Sequence, residues 1–409
     1  MARRARKPRI VILGGGFAGL AAALELRDDV RATLVDARAS FEFLPNIHEL
    51  VSGVKRPDVL RLPLDRIVRR AGHRFVRDTV TAIDTHERRV TLERRAALPY
   101  DALIVALGGV NATHGVPGVE EHAFAFKSVD DCDRIGRHIR RLLRAARRQD
   151  VVIVGGGIEG IEALGEIVRV RGASDALRIH VIEAGERLLG DAPADLDRFV
   201  RDLAPSGVEF LTGARVERIE DGRVFLEDGR RIASQATIWT GGPAAPPLLA
   251  QADLAKREGA WAPVTRTLQA TGHPNVFIAG DCAELPDRIA KQAYHALDMG
   301  RCAAKGAQRW LAGQTPSDFE PAEKPALISF GNRTCFMVAG GRVLAAPALA
   351  IAKEGVFELV MAQLDRRTPW NAATGAAFRL REAGLSLLRN SFVSRDGLLR
   401  GTRIGSGAR

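Results

Sequence analysis

Apolar residues in this chain occur in short runs that alternate with helix-like stretches, as in proteins built from β-α-β units. Residues 10–13 and 151–154 are continuous apolar runs, the pattern expected of strands buried on both faces of a parallel sheet. Each run ends in three glycines, and a helical pattern rich in Ala, Leu or Ile follows. The same construction recurs 141 residues along the chain, which predicts an internal duplication of one βαβ unit.

Both repeats carry glycines with the spacing G-x-G-x-x-G. In such turns the first glycine permits a tight turn, the second lets a pyrophosphate approach the backbone, and the third lets helix and strand pack closely. The following helix offers free N–H groups and the positive end of its dipole to the phosphates. The candidate phosphate-binding residues are Gly14, Gly16 and Gly19 in the first repeat and Gly155, Gly157 and Gly160 in the second.

A second strand follows each glycine turn and ends in an acid. Asp36 closes the first unit, 22 residues after Gly14, and Glu183 closes the second, 28 residues after Gly155. A carboxylate at this place accepts hydrogen bonds from the ribose hydroxyls of an adenosine. One glycine turn also occurs in ordinary α/β proteins, but two copies with two acids predict two dinucleotide sites. We interpret them as one site for a flavin and one for a nicotinamide cofactor.

The composition is that of a globular protein with a basic charge balance. Hydrophobic residues make up 46% and charged residues 27%, which excludes a disordered polymer. Lys+Arg 60 against Asp+Glu 49 gives a net charge of +11, and only eight of the basic residues are lysines. An arginine excess favours contact with nucleotides or anionic surfaces, although genomic base composition can produce the same excess. We expect no nucleic-acid partner.

The four cysteines are scattered and form neither a C-x-x-C pair nor a Cys/His cluster with metal-ligand spacing. This excludes a dithiol–disulfide redox centre of that type, a zinc ribbon and a secreted disulfide scaffold, and we expect no metal site. The basic N-terminus leads directly into the first strand, and no run of 18 apolar residues occurs. We therefore expect a cytoplasmic chain, with peripheral contact to the inner face of the plasma membrane as an extension of that expectation.

Two further strands end in glycine, at residues 100–109 and 275–281. With the duplicated turns, they make the sequence resemble the two-dinucleotide-binding flavoproteins of the pyridine nucleotide–disulfide oxidoreductase superfamily. Within that superfamily it is most similar to type II NADH dehydrogenases. Residues 41–49 look like the F-x-x-P-L-L-x-E-type stretch of that group, and residues 237–242 look like its W-T-A-G return strand. The resemblance covers about residues 8–310, and the remainder matches less specifically.

The resemblance implies an α/β fold with two Rossmann-like dinucleotide-binding domains, the FAD domain being interrupted by an inserted NAD(P)H domain. Glycine- and proline-containing breakers at 116–118 and 241–243 mark the two predicted crossings. The predicted domains are 1–112 with 240–325 for FAD, 113–239 for NAD(P)H, and 326–409 as a C-terminal interface or membrane-contact region.

The resemblance also assigns a cofactor to each glycine turn. The first turn and Asp36 would hold the ADP half of FAD, with Gly108 and Gly280 at neighbouring strand ends. Asp281 would then hydrogen-bond the ribityl–phosphate region. The second turn and Glu183 would bind NAD(P)H. A carboxylate at Glu183 would repel the 2′-phosphate of NADPH, so we expect NADH to be preferred.

Glu162 lies two residues past the last glycine of the second turn. It matches the glutamate in the G-G-G-x-x-G-x-E pattern of the related flavoproteins. The resemblance implies that it accepts a hydrogen bond from the nicotinamide carboxamide or relays a proton. The alternative is a carboxylate stabilised at a helix N-terminus by the helix dipole.

The electron-acceptor side departs from the related enzymes. Quinone-reducing members resemble A-Q-x-A-x-Q on the helix after Gly-Asp, which is predicted here over 289–311. Gln292 is kept, whereas the second glutamine is Ala296. Lys291 would stabilise a reduced flavin, and Lys291, Gln292 and Tyr294 are the candidate catalytic residues of this side. The alternative is that Lys291 and His295 form a solvated face and that Tyr294 belongs to the core.

Residues 376–390 place apolar side chains at helical spacing with arginines between them. Such a helix could lie in a membrane interface, or it could dock on the body of the protein or on a second subunit of a homodimer.

The predicted function is an FAD-dependent NADH dehydrogenase that passes electrons to a quinone or similar small acceptor. One alternative is a reductase for a ferredoxin- or rubredoxin-type carrier. Another is an enzyme like sulfide:quinone oxidoreductase, with Cys335 as a redox thiol. The last is a protein like apoptosis-inducing factor, in which NADH changes partner binding and turnover is incidental.

Overall fold

The structure is a computed structural model that describes residues 6–365 and the backbone of 403–406. The strands of the first half of the chain are β1 (Arg9–Leu13), β2 (Arg31–Asp36), β3 (Ser40–Glu42), β4 (Arg61–Pro63), β5 (Arg74–Arg77), β6 (Val80–Asp84), β7 (Arg89–Leu92), β8 (Leu98–Pro99), β9 (Ala102–Val105), β10 (Val110–Asn111), β11 (Ala123–Ala125), β12 (Gln149–Val154) and β13 (Leu177–Glu183). Those of the second half are β14 (Val208–Thr212), β15 (Val216–Glu220), β16 (Arg223–Leu226), β17 (Arg231–Ala233), β18 (Ala236–Trp239), β19 (Pro243–Ala244), β20 (Ala262–Pro263), β21 (Gln269–Ala270), β22 (His273–Ile278), β23 (Ala283–Glu284), β24 (Ala326–Phe330), β25 (Thr334–Ala339), β26 (Arg342–Ala346) and β27 (Arg403–Ser406).

The helices connect these strands in the order expected of βαβ units. They are α1 (Phe17–Glu25), α2 (Glu49–Ser52), α3 (Leu64–Arg70), α4 (Val119–His122), α5 (Val129–Leu142), α6 (Ile158–Arg171), α7 (Ala194–Leu203), α8 (Leu248–Gln251), α9 (Ala293–Leu311) and α10 (Leu349–Leu364), with 3-10 turns at Leu44–Asn46 and Pro57–Leu60.

The described chain forms two compact units. Unit 1 comprises 6–42, 61–110 and 243–323, and unit 2 comprises 43–60, 111–242 and 324–365 together with β27. The chain crosses between them within about three residues of the crossings predicted at 112 and 240. Two segments are distributed differently from the predicted domains. Residues 43–60 pack in unit 2, and residues 324–365 form part of unit 2 instead of a region of their own.

Unit 1 is built on a six-stranded sheet with the order β21-β22-β9-β1-β2-β5, parallel except for β21. Strand β9 is buried along its whole length, as are residues 10–13 of β1, which explains why these strands are continuously apolar. Helices α1 and α9 pack tightly together, because a Cβ on Gly300 would lie 2.0 Å from the carbonyl oxygen of Ala18. Because β1, β2, β9 and β22 are parallel, their carboxyl ends meet at one sheet edge, where α/β proteins bind ligands.

Unit 2 contains a five-stranded parallel sheet with the order β11-β18-β12-β13-β14. It also contains an antiparallel four-stranded sheet, β24-β25-β26-β27. The turn after β24 lies directly on α6, since a Cβ on Gly165 would be 2.4 Å from the backbone nitrogen of Gly331. Helix α10 packs on this sheet, and Phe43 meets Phe357 edge-on at 4.9 Å between ring centroids. Residues 43–60 and the C-terminal sheet thus surround α6.

Three expectations about helices have different outcomes. The helix predicted from Ile289 begins at Ala293, because Gln292 has extended backbone angles (φ −127°, ψ 146°), so Lys291 and Gln292 precede the helix. The helical spacing at 376–390 falls outside the described residues. No helix within 6–365 is long and apolar enough to cross a membrane.

Candidate functional site

The first glycine turn joins β1 to α1 and leaves no room for side chains where the backbone must turn. Gly14 has φ +96°, and a Cβ there would lie 2.2 Å from the carbonyl oxygen of Ala106. A Cβ on Gly19 would lie 1.8 Å from the carbonyl oxygen of Gly14, whereas one on Gly16 would meet nothing within 4 Å. No side chain caps the N-terminus of α1. The turn therefore presents an open backbone surface and uncapped N–H groups, which fit a pyrophosphate.

The second glycine turn, between β12 and α6, repeats this geometry. Gly155 has φ +107°, and a Cβ on it would lie 2.3 Å from the carbonyl oxygen of Thr240. Thr240 thus takes the position that Ala106 has beside the first turn. A Cβ on Gly160 would lie 1.9 Å from the carbonyl oxygen of Gly155, and the surface at Gly157 is open. The N-terminus of α6 also has no side-chain cap. Unit 2 thus holds a second turn whose geometry fits a phosphate group.

The two predicted ribose-binding acids occupy matching positions. Asp36 accepts a hydrogen bond from the backbone N–H of Gly15 at 2.6 Å, and Glu183 accepts one from Gly156 at 2.6 Å. The other oxygen of each carboxylate accepts from the amide two residues further along the chain, at 2.7 Å in both cases. Both side chains are half-buried. Each acid is therefore held beside its glycine turn with surface left to accept ribose hydroxyls.

The remaining predicted flavin-binding residues follow neighbouring strands of unit 1. Gly108 comes after β9, and Gly280 and Asp281 come after β22, at the same sheet edge as the first turn. Cys282 next to them is fully buried, with its Sγ 3.4 Å from the carbonyl oxygen of Ala279, and burial raises its pKa to about 11. This thiol stays protonated and is not an activated nucleophile.

A cavity of about 310 Å³ lies beside these residues in unit 1, and Lys291 and Gln292 line it. The Lys291 ammonium donates to the carbonyl oxygen of Asp281 and lies 3.7 Å above the ring centre of Trp261. Burial lowers the pKa of Lys291. The side-chain oxygen of Gln292 is buried and has no hydrogen-bond partner among the described residues, so it is available to a ligand that enters the cavity.

The other residues of this stretch divide differently. Tyr294 is half-buried on α9 and is not among the residues lining the cavity. His295 does line it, but its side chain is buried, with Nδ1 2.9 Å from the carbonyl oxygen of Ala290 and Nε2 3.1 Å from that of Ala322. The alternative of a solvated Lys291–His295 face is therefore wrong for His295.

Glu162 lies at the centre of a buried ionic cluster in unit 2. Its Oε1 accepts from the Lys353 ammonium at 2.5 Å and from the backbone N–H of Ser329 at 3.0 Å. Its Oε2 is 3.4 Å from Nδ1 of His48, whose Nε2 is 3.5 Å from the Lys353 nitrogen. Helix α6, the segment 43–60 and helix α10 each contribute one member. The three side chains thus form a closed triangle of an acid, an imidazole and an ammonium.

The pKa shifts in this triangle follow from burial and from mutual charge. Burial raises the pKa of Glu162 and lowers that of His48 well below its usual value, with Lys353 lowering the latter further. Burial also works against the Lys353 ammonium, but the Glu162 carboxylate outweighs it, so the pKa of Lys353 is raised. The imidazole is therefore neutral. Its partners assign the proton to Nδ1, which faces the carboxylate, and the lone pair to Nε2, which faces the ammonium.

The cluster continues from Glu162 toward the surface of unit 2. Glu166, one turn further along α6, is buried, which raises its pKa to about 7, and the nearest Arg169 nitrogen is 3.7 Å away. Lys55 lies 2.6 Å from Glu354 and 3.7 Å from a Glu49 oxygen. Ionisable side chains thus extend from the interior to the partly exposed edge of the unit.

The sequence predicted Glu162 but not its partners. His48 lies in the 41–49 stretch that carries the family likeness, where no role was assigned to it. Lys353 interrupts an otherwise apolar stretch, and a lysine inside an apolar helix indicates a buried acidic partner. Cys335, considered as a redox thiol, is free and fully buried, and burial raises its pKa to about 11. Its environment therefore argues against the sulfide-oxidising alternative.

Known proteins of similar sequence include two kinds of quinone-reducing enzyme. Curated relatives include a demethylphylloquinone reductase from Synechocystis, 28% identical over 376 residues that cover 86% of this chain and 91% of the relative. They also include a type II NADH:quinone oxidoreductase from Staphylococcus epidermidis, 25% identical and covering 85% of this chain and 94% of the relative. These relatives confirm the predicted likeness to type II NADH dehydrogenases.

Solved structures confirm the predicted fold class. NDH2 from Plasmodium falciparum in complex with NADH superposes with a TM-score of 0.80 over 96% of this chain and 99% of that chain, at 16% identity. The sulfide:quinone oxidoreductase from Aquifex aeolicus superposes with a TM-score of 0.71 at 20% identity, covering 83% of this chain and 84% of that chain. The family model described as pyridine nucleotide-disulphide oxidoreductase matches residues 8–300. The chain belongs to the pyridine nucleotide-disulphide oxidoreductase family.

Proposed function

We propose that this chain is an FAD-dependent NADH dehydrogenase that reduces a quinone, with the balance NADH + H⁺ + quinone → NAD⁺ + quinol. The observation that carries the proposal is the pair of matching nucleotide cradles, one in each unit, together with the buried acid–base cluster on the helix that follows the cradle of unit 2. The names of the quinone-reducing relatives and the NADH complex of the structural neighbour support it.

The cradle of unit 1 would hold FAD. Gly14, Gly16 and Gly19 would contact the pyrophosphate, and Asp36 would accept a ribose hydroxyl through the face not used by its amide donors. Gly108, Gly280 and Asp281 lie at the same sheet edge and would contact the rest of the cofactor. When bound, the flavin would supply the chemistry of accepting a hydride and passing on its electrons.

The cradle of unit 2 would bind NADH through Gly155, Gly157 and Gly160. Glu183 would accept the ribose hydroxyls and oppose a 2′-phosphate. Arg187 is the nearby basic residue that could favour NADPH, but its guanidinium donates to the carbonyl oxygen of Gly190 within its own loop. Preference for NADH over NADPH follows from this arrangement.

The Glu162 triangle would hold the proton that the overall reaction consumes. A carboxyl group with a raised pKa can share a proton with an ammonium 2.5 Å away. Delivery of that proton to the reaction would lower the charge of the pair by one until solvent replaces the proton. Neutral His48 fixes both partners through its two ring nitrogens. We therefore assign Glu162 a proton-relay role, in preference to a simple helix-dipole acid, because its carboxylate is committed to buried partners.

The acceptor would be handled by the cavity of unit 1. Gln292 offers an unpartnered buried oxygen, and Lys291 offers a cation whose charge burial makes less favourable. Tyr294 stays a candidate catalytic residue, although it does not line the cavity. We also propose peripheral membrane contact through the outer face of α10, where Ile351 and Leu359 are 52% and 60% exposed. Use of that face in a homodimer is the competing expectation.

Anaerobic stopped-flow measurement on the purified protein tests the function. The flavin absorbance should bleach with NADH and recover faster with a small soluble quinone than with oxygen or ferricyanide. The variant Gln292→Ala should slow recovery with quinone and leave bleaching by NADH unchanged. Protein that cannot be loaded with FAD would overturn the proposal, and recovery only with a ferredoxin or rubredoxin would identify a carrier reductase. Slow turnover with a persistent charge-transfer band would favour an NADH-responsive binding protein.

A further inference from the structure

Three arginines converge at the edge of the unit 2 sheet opposite the glycine turn. Arg148 immediately precedes β12, Arg171 is the last residue of α6, and Arg333 lies in the turn between β24 and β25. A Cβ on Gly207, just before β14, would lie 3.0 Å from Nη2 of Arg148 and 3.1 Å from Nη1 of Arg171. The two guanidinium nitrogens are therefore at most about 6 Å apart, with only a glycine beside them. We refer to these three side chains as the arginine cluster.

The central member of the cluster is buried and poorly satisfied. Arg171 is 6% exposed, and its one hydrogen bond runs from Nη1 to the carbonyl oxygen of Leu177 at 3.4 Å. Its Nε is buried and has no partner in the part of the chain that the structure describes, although a guanidinium has five N–H donors. The negative end of the α6 dipole favours this cation but supplies no acceptor for Nε. A buried cation with one long hydrogen bond is costly unless an anion completes it.

No protein carboxylate does so within the described residues. None of their ion pairs within 4 Å involves the arginine cluster, and Asp175 acts on Arg171 only through its charge. Arg333 donates to the carbonyl oxygen of Leu203 at 3.1 Å, which leaves its other donors available. Burial lowers the pKa of Arg171, and the positive charges of Arg333 and Arg148 lower it further.

We propose that Arg148, Arg171 and Arg333 form a binding site for a phosphate-bearing anion, separate from both nucleotide cradles. Three guanidinium groups that met at one anion would supply forked donors to several oxygens of one tetrahedral group, a geometry that arginine satisfies better than lysine. A dianion also matches a cluster of three positive charges with one acid nearby. A phosphorylated small molecule and the headgroup of an anionic lipid share this chemistry.

Such an anion would join two elements that also hold Glu162. Arg171 ends α6, which carries Glu162, and Arg333 belongs to the turn that lies on Gly165 of the same helix. Ser329, on the strand before that turn, donates to the Glu162 carboxylate. Bridging Arg171 and Arg333 would therefore fix the α6 and β24 contact from its far end. The expected consequence is a higher unfolding temperature of the protein.

Calorimetric titration with inorganic phosphate tests the site on protein loaded with FAD and NAD⁺, so that both cradles are filled. Sodium chloride of matched ionic strength is the reference. We expect saturable binding and a rise in unfolding temperature with phosphate. Arg148→Ala and Arg333→Ala, both at exposed positions, should weaken binding at least about tenfold. Arg223→Ala removes an exposed arginine with no ion pair and should bind phosphate like the wild type.

Phosphate titration decides whether the site exists, and vesicle binding decides which kind of anion it takes. Equal phosphate binding by the wild type and both cluster variants, or no saturable binding, would overturn the proposal. Co-sedimentation with vesicles of phosphatidylglycerol and phosphatidylcholine identifies the source. Retention that is lost in Arg148→Ala but kept in Arg223→Ala supports a lipid headgroup. Phosphate binding without vesicle retention supports a soluble phosphorylated molecule. Because Arg171→Met could destabilise the fold, the conclusion depends on the two exposed variants.

Discussion

The two nucleotide cradles of this chain are nearly identical in backbone geometry and differ in the helix that follows. A Cβ on the third glycine would lie 1.8 Å from the carbonyl oxygen of the first glycine in one cradle and 1.9 Å in the other. The distance from the acid to the amide nitrogen is 2.6 Å in both. Yet the buried face of α1 holds only apolar residues and glycine, whereas that of α6 holds Glu162, Glu166 and Arg171. The duplicated turn provides the geometry expected for nucleotide binding in both units. Helix α6 adds the acid–base groups that α1 lacks.

The largest expected effect breaks the buried cluster that only the second helix has. Lys353→Met would leave the Glu162 carboxylate uncompensated in the interior, and removal of one partner of a buried ion pair costs about 3–5 kcal/mol. We expect a loss of that size in the free energy of unfolding, measured by urea denaturation, together with slower quinone reduction.

Two companion variants sharpen this test. Glu162→Gln combined with Lys353→Met should recover most of the stability, because no unpaired charge remains. Lys305→Met, which breaks an ion pair with Glu25 on an exposed lysine, should cost less than about 1 kcal/mol. Equal losses of unfolding free energy in Lys353→Met and Lys305→Met would contradict the prediction that burial makes the Glu162–Lys353 ion pair the costlier one to break.

The next effect concerns Glu166, which has no counterpart on α1. Its pKa is raised from 4.5 to about 7 in the folded protein, so the unfolded chain releases this proton first. The folded state holds more protons between these values, and the contribution of Glu166 to stability is present below pH 4.5 and is lost as the pH rises to about 7. The loss is on the order of 3 kcal/mol.

Glu166→Gln isolates this contribution. The difference in unfolding free energy between variant and wild type should move in favour of the variant from pH 5 to pH 8. A difference that does not change with pH would contradict the assignment. The functional cradle should be unaffected, so the KM for NADH should stay within about twofold of the wild type.

The two acids test whether the matching cradles hold different cofactors. Asp36→Ala should weaken FAD retention, and Glu183→Ala should raise the KM for NADH while the flavin stays bound. Each loses charge-assisted hydrogen bonds worth about 1.5–3 kcal/mol. Flavin content by absorbance and KM by steady-state kinetics give the answer. Loss of flavin in Glu183→Ala would reverse the assignment of the two sites.

The smallest effect is coenzyme choice at the second cradle. The Glu183 carboxylate should favour NADH over NADPH by at least about tenfold in kcat/KM, or roughly 1.4 kcal/mol. Glu183→Gln removes the charge and keeps a hydrogen-bonding group. It should therefore lower the NADH/NADPH ratio of kcat/KM, mainly by raising kcat/KM for NADPH. A wild-type ratio near one, from flavin bleaching rates, would refute the repulsion by Glu183.

The sequence by itself determined the features that depend on local spacing. Two apolar strands, two G-x-G-x-x-G turns and two acids at strand ends are sufficient for the duplicated βαβ units, and hence for the family and the two cradles. Each of these features involves residues close in the chain, whose backbone requirements restrict the residue types. The domain bounds predicted at 112 and 240 lie within about three residues of the changes between units at 110 and 242, although the first Gly/Pro breaker, at 116–118, follows its crossing.

Packing of distant segments brings together the side chains that surround Glu162 on α6. His48, Glu162 and Lys353 are far apart in sequence, and burial against one another is what makes them an ionic cluster. The position of Lys291 also depended on tertiary structure, because α9 begins at Ala293, four residues beyond the predicted start, and Lys291 therefore precedes the helix. Spacing fixes local backbone geometry, whereas burial and charge pairing arise only when separate segments pack together.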